Sequence, residues 1–269
     1  MKLPLLPGQP RPLLLAHRGL SAEAPENTLA AFRLAAERGI PGIELDVHLT
    51  ADGELAVIHD HHTGRVSPSG PGGVDGRGLE VERSTRAELR SLDVGSWKLS
   101  RWAGERIPWL GELLEEMGSG VYVDIELKNA SRGDYGLEAA VAACLRATAP
   151  DGDAGSRFLV SSFNPIALAR FKALSPKVPT AIIWCDHEYV PHTLRDGQGR
   201  WIGKVDALKP SREKVGSFSS FLWRRIEGYP VLPWIVDDPH EARRLVDLGC
   251  EGIISNEPGR IGFAPAGSR

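Results

Sequence analysis

Two acids interrupt a buried-strand pattern in residues 42–47, Gly-Ile-Glu-Leu-Asp-Val. Because side chains alternate between the faces of a strand, Glu44 and Asp46 share one face and the apolar residues share the other. Two carboxylates about 7 Å apart on a buried face repel each other unless a positive group lies between them. A divalent cation held by oxygen ligands is the simplest group of this kind.

Residues 122–128 repeat this arrangement. Asp124, Glu126 and Lys128 share one face, and apolar side chains share the other. A solvated polar face at the edge of a sheet would explain one such strand. Two of them, each flanked by apolar residues, favour a shared site near the strand ends.

The composition is that of an ordinary globular domain. The chain has 269 residues, of which 42% are hydrophobic and 25% are charged. Its net charge of −3 predicts no broad attraction to nucleic acid. With no secretory pattern and no run of about 20 apolar residues, we expect no stable membrane insertion. Cys144, Cys185 and Cys250 lie far apart with no zinc-binding spacing, which predicts a reducing compartment and a cytoplasmic protein.

Short apolar runs alternate with helical patterns along the whole chain. Strands are predicted at Leu13–Ala16, Gly42–Val47, Leu55–His59, Val121–Leu127, Phe158–Ser162, Thr180–Trp184, Val205–Leu208, Val231–Val236 and Gly252–Ser255. This repetition favours a TIM (β/α)8 barrel, with an open doubly wound sheet as the alternative. A barrel has eight places, so one candidate lies outside it or is not a strand, and Val205–Leu208 has the weakest pattern. Helix caps are expected at Asn27, Thr85, Asn164 and Asp238.

Two irregularities modify the predicted barrel. Residues 48–54 are too few for a helix, so we predict that the helix between the second and third strands is missing. Residues 61–109 form a long insertion after the third strand and include the Gly- and Pro-rich residues 67–73. Because the insertion leaves a strand end that carries His59, it is expected to rise over the active face, where long loops often act as lids. We therefore predict a single domain, residues 1–269, with an insertion or lid at about 61–109.

Polar side chains follow several predicted strands, at the ends where TIM barrels place their reacting groups. They include His17, Arg18, Glu44, Asp46, His59, Glu126 and Lys128. The three acids suit a hard divalent ion, Mg²⁺ or Ca²⁺. The arginine and the lysine would join that ion in binding a tetrahedral anion such as a phosphate, and the histidines would move protons. A metal ion, cations that bind phosphate and histidines that transfer protons are the groups that a phosphodiesterase uses in catalysis.

Six spaced motifs run in order through the first half of the chain: Ala16-His17-Arg18-Gly19, Ala24-Pro25-Glu26-Asn27-Thr28, Glu44-Leu45-Asp46-Val47, Leu49-Thr50-Ala51-Asp52-Gly53, Val57-Ile58-His59-Asp60 and Ile125-Glu126-Leu127-Lys128. Looser matches follow at Ser161-Ser162-Phe163, Trp234-Ile235-Val236-Asp237 and Gly252-Ile253-Ile254. Together they resemble the glycerophosphodiester phosphodiesterase family. The resemblance implies a TIM barrel and metal-dependent hydrolysis of small-molecule glycerophosphodiesters to an alcohol and sn-glycerol 3-phosphate.

The resemblance also implies roles for particular residues. Carried over by position, the metal ligands are Glu44, Asp46 and Glu126. The acid/base pair is His17 and His59. The phosphate contacts are Arg18 and Lys128. Trp234, at a strand end, would either line the glycerol pocket or fill the core. Either histidine could act as the acid, and either water or the glycerol 2-hydroxyl could attack first.

The chain departs from the family pattern at three places. Ser255-Asn256 replaces a frequent Thr-Asp, Ile235 and Asp237 replace Thr and Asn in the Trp motif, and Lys209-Pro210 replaces a frequent His-Pro. We expect these positions to shape the alcohol or glycerol end of the substrate rather than to run the chemistry.

Other polar residues near the motifs have plainer interpretations. Asn27 is predicted to be a helix cap. His48 is expected past the end of its strand, and His61 and His62 are expected in solvent. Asp124, one layer below the other acids, is expected to have a hydrogen-bonding role.

Two other functions are kept as alternatives. A lysophospholipase D-like or sphingomyelinase D-like phosphodiesterase of the same superfamily would act on lysolipids, and Trp97, Trp102 and Trp109 give the insertion aromatic content that suits such substrates. A non-catalytic barrel that binds phosphoesters would be expected to lack a histidine or a metal acid, and none is lacking.

Overall fold

Eight strands form one curved sheet in the computed structural model, which describes residues 11–70, 76–129, 133–149 and 157–261. They are β1 Leu13–His17, β2 Gly42–Leu49, β3 Leu55–Val57, β4 Tyr122–Leu127, β5 Phe158–Ser162, β6 Thr180–Trp184, β7 Ala207–Pro210 and β8 Gly252–Ser255. Parallel pairing gives the order β7-β6-β5-β4-β2-β1-β8. The remaining strand, β3, pairs antiparallel with β2.

Residues 231–236 close the sheet into a barrel by lying between β7 and β8. On the β7 side, Leu232 donates its main-chain N–H to the carbonyl of Leu208 at 2.8 Å. On the β8 side, Val236 donates to the carbonyl of Ile254 at 2.9 Å. With the parallel strands, these residues complete the eight strands of a TIM barrel. The predicted fold class is therefore confirmed.

The predicted third barrel strand, Leu55–His59, lies outside the barrel, which corrects its predicted place. Its residues form β3, which turns back along β2 so that Val57 pairs with Val47. The reversal is tight, with the Thr50 N–H donating to the carbonyl of Glu54 at 2.9 Å. A connection this short cannot carry a parallel crossover, which needs about a dozen residues or more, and so it forms a hairpin without a helix. The candidate with the weakest pattern is β7 and has a place in the barrel.

Helices connect most of the barrel strands. Among the described residues they are α1 Leu29–Glu37, α2 Arg86–Arg90, α3 Leu110–Met117, α4 Leu137–Thr148, α5 Pro165–Leu174, α6 Gly199–Gly203, α7 Ser217–Ser220, α8 Pro239–Asp247 and α9 Pro258–Ile261. A π-helix, Phe221–Ile226, follows α7, and 3-10 helices lie at Thr63–Arg65, Val81–Arg83, Ser100–Trp102, His192–Leu194 and Arg212–Lys214. Three predicted caps are confirmed, at Thr85, Asn164 and Asp238.

The fourth predicted cap, Asn27, is wrong. Helix α1 is capped by Thr28, whose hydroxyl accepts from the N–H of Ala31 at 3.3 Å. Asn27 has a φ of +54°, a left-handed conformation that asparagine tolerates better than most residues. Because the next residue serves as the cap, the Asn27 side chain is available for contacts elsewhere.

The barrel interior changes from apolar to charged along the strand direction. Its lower part is filled by Leu13, Leu15, Tyr122, Leu159, Ala181, Ala207, Leu232 and Ile254. Alternation along the same strands then brings in buried polar groups at His17, Glu44, Asp46, Asp124 and Glu126. Larger apolar clusters pack the strands against the helices. The charged groups therefore stand on an apolar floor at the carboxyl ends of the strands.

The insertion has an apolar cluster of its own. Val66, Val81 and Leu89 are buried in it, together with residues next to and within β3. An antiparallel bridge joins Ala56 of β3 to Trp109, so β3 is paired on both edges. Strand β3 therefore contributes the side chain of Ala56 to the apolar cluster of the insertion and is not a strand of the barrel. Residues 71–73 of the Gly- and Pro-rich stretch lie outside the described residues.

The three cysteines are all free. Cys185 and Cys250 are buried, and Cys144 is partly exposed. Within the part of the chain that the structure describes, no helix combines the length and the hydrophobicity needed to cross a lipid bilayer.

The assigned core predicts different effects for one substitution at two phenylalanines. We expect Phe171→Ala to lower the free energy of unfolding by about 3–5 kcal/mol, because Phe171 is fully buried in the main apolar cluster. Phe218→Ala changes a side chain that is 80% exposed and should alter the free energy by at most about 0.5 kcal/mol. Urea unfolding measures both values, and equal losses would contradict the assigned core.

Candidate active site

The register of the parallel strands brings the predicted acids together. Glu44 of β2 lies opposite Asp124 of β4, and Asp46 lies opposite Glu126. His17 of β1 lies opposite Glu44. All five residues are at most 8% exposed. One oxygen from each of Glu44, Asp46 and Glu126 lies within 4.8 Å of the others, a grouping that can hold a metal ion.

Asp46 lies between two cations. Lys128 Nζ is 2.9 Å from its Oδ1, and Arg18 Nε is 3.2 Å from its Oδ2. Burial alone would raise the pKa of Asp46, but Lys128 and Arg18 outweigh burial and hold that pKa well below its usual range. Lys128 also contacts Glu126 at 2.6 Å. Both predicted phosphate contacts therefore lie against the predicted metal ligands.

A third cation, Lys209 of β7, lies deeper in the site. Its Nζ is 2.6 Å from Asp124 Oδ2 and donates to Ser161 Oγ at 2.9 Å. Ser161 donates in turn to Asp124 Oδ1 at 2.7 Å. Burial raises the pKa of Asp124, and Lys209 opposes that shift. Asp124 is thus held by hydrogen bonds beneath the other acids.

Glu44 has the least charge compensation of the four buried acids. Among the described residues, the nearest lysine or arginine charge is Lys209 Nζ at 4.0 Å, and the main-chain N–H of Arg18 donates to Glu44 at 3.3 Å. Burial, and then the neighbouring Asp46, raise the pKa of Glu44 well above its usual range. A further positive group close to this carboxyl would favour its ionised form. A divalent ion between the acids would supply that charge.

His17 is oriented by a chain of hydrogen bonds. The carboxylate of Asp237 accepts from Asn256 Nδ2 at 2.9 Å and from the Asn256 main-chain N–H at 2.8 Å. The amide oxygen of Asn256 therefore faces His17 Nδ1, at 2.7 Å, and accepts a hydrogen from it. Burial and the nearby Arg18 lower the pKa of His17 to about 3, so the ring is neutral with its lone pair on Nε2. This nitrogen lies 3.9 Å from Glu44.

His59 is held at the rim of the barrel by Asp60. Its Nδ1 donates to Asp60 Oδ1 at 2.6 Å, and Arg65 Nε donates to Asp60 Oδ2 at 2.6 Å. Arg65 also donates to both carboxylate oxygens of Glu26, which accepts in addition from Arg18 at 2.7 Å. Burial would raise the pKa of Glu26, but the hydrogen bonds from Arg65 and the charge of Arg18 lower it to about 2. A continuous chain of charges thus links the insertion to the buried acids.

Asn27 belongs to the site rather than to a helix. Its Nδ2 donates to Asp46 Oδ2 at 2.8 Å, and its Oδ1 accepts from the Asp46 main-chain N–H at 3.4 Å. The left-handed backbone at Asn27 directs the amide towards β2, while Thr28 caps the helix.

An open cavity lies over these groups at the mouth of the barrel. Trp234 lines its floor and donates from Nε1 to the carbonyl of Lys209 at 2.9 Å. Phe163 meets the rings of Trp234 and Tyr189 edge to face, with centroid distances of 5.7 and 5.6 Å. A second, more open cavity adjoins the first one and shares Phe163 and Tyr189 with it, and the insertion supplies part of the lining of this second cavity, including Arg65. Trp234 therefore borders the site and also packs against the apolar floor of the barrel.

Three site residues have contacts beyond those that were expected. Lys209, Asp237 and Asn256 occupy positions that were expected to shape the substrate pocket. Lys209 lines the cavity with Trp234 and also pairs with Asp124, and Asp237 and Asn256 stand behind His17. The sequence contained a signal for the contact between residues 237 and 256. Relative to the family pattern, this chain has Asp in place of Asn at position 237 and Asn in place of Asp at position 256. A reciprocal exchange is what two residues in contact would show.

This fold and this arrangement of carboxylates, cations and histidines define a TIM-barrel phosphoric diester hydrolase, and comparisons with known proteins agree. A sequence model of the Glycerophosphoryl diester phosphodiesterase family matches residues 17–260. The chain belongs to this family.

Individual relatives cover nearly the whole chain. A glycerophosphodiester phosphodiesterase of Caldanaerobacter subterraneus is 32% identical over an alignment of 257 residues that covers 91% of this chain and 94% of that protein. A phosphodiesterase of Oleispira antarctica, solved in complex with the product sn-glycerol-3-phosphate, has a TM-score of 0.75 at 30% identity and covers 93% of this chain and 95% of its own. A glycerophosphodiester phosphodiesterase of Agrobacterium tumefaciens has a TM-score of 0.73 at 25% identity, with coverages of 92% and 97%.

The buried pair of Lys209 and Asp124 predicts strong energetic coupling. We expect Lys209→Met to lower the free energy of unfolding by about 3–5 kcal/mol, because it leaves Asp124 buried without its cation. The double variant Lys209→Met with Asp124→Leu should recover most of this loss, since no unpaired charge remains. Denaturant unfolding of the single and double variants gives the coupling energy. Additive losses would show that the two residues do not compensate each other.

Proposed function

We propose that the protein hydrolyses glycerophosphodiesters to an alcohol and sn-glycerol 3-phosphate, using one divalent cation and the pair His17 and His59. The observation that carries the proposal is the grouping of three carboxylates within 4.8 Å of one another, directly beside His17. Membership of the family supports the reaction, and the Oleispira antarctica relative was solved with sn-glycerol-3-phosphate as its product.

Glu44, Asp46 and Glu126 are the proposed ligands of the cation. Their donor atoms are all oxygens, which suits Mg²⁺ or Ca²⁺. The raised pKa of Glu44 supports this assignment, because a divalent charge would offset the burial of that carboxylate. When bound, the ion would neutralise charge on the phosphoryl oxygens and favour attack at phosphorus.

Arg18 and Lys128 are the proposed phosphate contacts. They approach Asp46 from different carboxylate oxygens, so their positive charges lie on either side of the acid cluster. Their N–H groups are held by ion pairs, and they can stabilise charge on a phosphoryl group with little reorganisation. Trp234, on the cavity floor, is proposed to border the glycerol end of the substrate.

The two histidines are proposed to act at opposite sides of the phosphate. Asn256 occupies Nδ1 of His17, so Nε2 is available to accept the proton of the attacking hydroxyl. Asp60 occupies Nδ1 of His59 in the same way. The His59 side chain is 33% exposed and borders the mouth of the cavity. As the proposed acid, its ring would carry hydrogens on both nitrogens and give the one on Nε2 to the departing alcohol, while Nδ1 keeps its hydrogen bond to Asp60.

The insertion is proposed to act as a lid within a single domain, residues 1–269. Arg65 supports this role, because it connects the insertion to Glu26 and through it to Arg18. A cytoplasmic location is also proposed, since all three cysteines are free. The aromatic rings of Phe163 and Tyr189 at the mouth favour lysolipids as the second candidate substrate class.

The proposed reaction predicts metal-dependent release of sn-glycerol 3-phosphate from glycerophosphocholine. We expect EDTA to abolish release and added Mg²⁺ or Ca²⁺ to restore it. Glu44→Gln, checked for an unchanged fold by circular dichroism, should lower kcat at least about 100-fold, since losing even an outer partner of a metal ligand costs about 10–100-fold.

Lysophosphatidylcholine serves as the parallel substrate in the same assay. Release of choline from it, without turnover of glycerophosphocholine, would replace the proposal by the lysolipid alternative. No turnover of either substrate by the metal-loaded protein would favour a barrel that only binds phosphoesters.

The hydrogen bonds that link Asp237, Asn256 and His17 predict that activity lost in a single variant returns when the residues at positions 237 and 256 are exchanged. Asn256→Asp should lower kcat by about 10–100-fold with KM little changed, because two carboxylates then face each other and disturb the support of His17. Asp237→Asn combined with Asn256→Asp should recover most of the activity. In the double variant, the carboxylate at position 256 can accept from His17 Nδ1, and the amide at position 237 can donate to that carboxylate. Steady-state kinetics on both variants measures this, and a double variant no better than the single one would contradict the proposed support.

A further inference from the structure

His48, His61 and Glu82 form a cluster beside the active site. His48 lies within β2, not past its end as expected, and it is fully buried. Its Nδ1 is 2.7 Å from Glu82 Oε1, and Nδ1 of His61 is 2.5 Å from the same oxygen. Each residue offers one possible ligand atom, and these three atoms lie within 4.8 Å of one another. His61 is exposed, as expected, and it also makes a specific contact with Glu82.

The second ring nitrogen of His48 constrains the chemistry of the cluster. Its Nε2 is 3.1 Å from the main-chain carbonyl oxygen of His59. A carbonyl oxygen can only accept, so Nε2 carries a hydrogen. Nδ1 then faces Glu82 either with a second hydrogen or with a lone pair, and with a lone pair it can bind a metal ion. A metal ion bound by Nδ1 of His48, the Glu82 carboxylate and the nitrogen of His61 would take the place of the hydrogens in these contacts.

Main-chain contacts hold the cluster in place. Pairing of β2 with β3 sets the position of His48. The segments that carry His61 and Glu82 are joined by an antiparallel bridge between their neighbours His62 and Glu80. The residue before Glu82 also donates its N–H to the carbonyl of His61 at 2.9 Å. Because these positions are set by the backbone, an ion would have little chain to order on binding.

We propose that His48, His61 and Glu82 form a second cation site, for a borderline metal ion of the zinc type. Two imidazoles and one carboxylate suit Zn²⁺ with water in the fourth position, whereas the all-oxygen set in the active site suits a harder ion. Donation from the other ring nitrogen to a carbonyl is also the usual outer contact of a metal-binding histidine. An ion here would tie β2 to the insertion, because its ligands come from both.

The present distances require only a small adjustment. Two ligands of a tetrahedral zinc ion lie about 3.3 Å apart. The Glu82 oxygen, now 2.5 Å from His61 Nδ1 and 2.7 Å from His48 Nδ1, must therefore move away from each nitrogen by less than about 1 Å. Their side chains are 32% and 49% exposed, which leaves room for this movement and for a water ligand. Glu80 adds a carboxylate to the cavity beside the cluster, and Lys128, which also lines this cavity, is paired with Asp46.

Zinc retention tests the proposal without reference to catalysis. The chelator-treated protein is dialysed against Zn²⁺ with excess Mg²⁺, then against zinc-free buffer containing Mg²⁺, and its zinc content is measured by atomic emission. We expect about one zinc per chain in the natural protein. His61→Ala and Glu82→Gln, each with a ligand removed from a partly exposed position, should weaken zinc binding at least about 100-fold and lose the retained ion.

Two control variants separate this site from its surroundings. His62→Ala removes a neighbouring histidine that lines the same cavity but is not in the cluster, and it should retain the zinc. Glu44→Gln alters the active-site acids and should also retain it. Absence of zinc in the natural protein, or its retention by His61→Ala, would overturn the proposal. Loss of zinc in Glu44→Gln would place the ion among the active-site acids and would overturn it as well. Failure of the proposed hydrolysis would leave all of these results unaffected.

Discussion

The burial of four carboxylates at the carboxyl ends of β2 and β4 is the constraint on which the active site depends. Alternation along the strands and the pairing register place them side by side, and an apolar floor beneath excludes water. Such a group of like charges is stable only with opposite charge close by. Lys128, Arg18 and Lys209 meet that need for Asp46, Glu126 and Asp124. Within the described residues, the lysine or arginine charge nearest to Glu44 is that of Lys209, at 4.0 Å. The same shortage of positive charge makes the site suited to a divalent ion.

Both histidines are supported in the same manner, although their partners come from different parts of the chain. Asn256 accepts from Nδ1 of His17, and Asp60 accepts from Nδ1 of His59. In each case one ring nitrogen is occupied and the other remains available, so the ring has a defined orientation. The support of His17 comes from the last strand of the barrel, and the support of His59 is tied to the insertion through Arg65.

Strand β2 carries two kinds of polar site on one face. Glu44 and Asp46 face the barrel interior with oxygen atoms only, and His48 continues the same face into a cluster with His61 and Glu82. The change occurs where β2 extends beyond the barrel and pairs with β3. The hairpin that removes β3 from the barrel thereby brings the insertion against the end of β2 and places its side chains beside the active site.

The sequence by itself determined the fold class and most of the groups that gather in the site, because these follow from patterns among neighbouring residues. The alternation around Glu44 and Asp46 and the caps at Asn164 and Asp238 are such local patterns. Only the tertiary structure decided the direction of β3, the pairing of Lys209 with Asp124, and the contact between His17 and Asn256. That last contact joins residues 239 positions apart. Contacts of this range leave no periodic trace in the chain, and they form only when the barrel closes and brings its last strand beside its first.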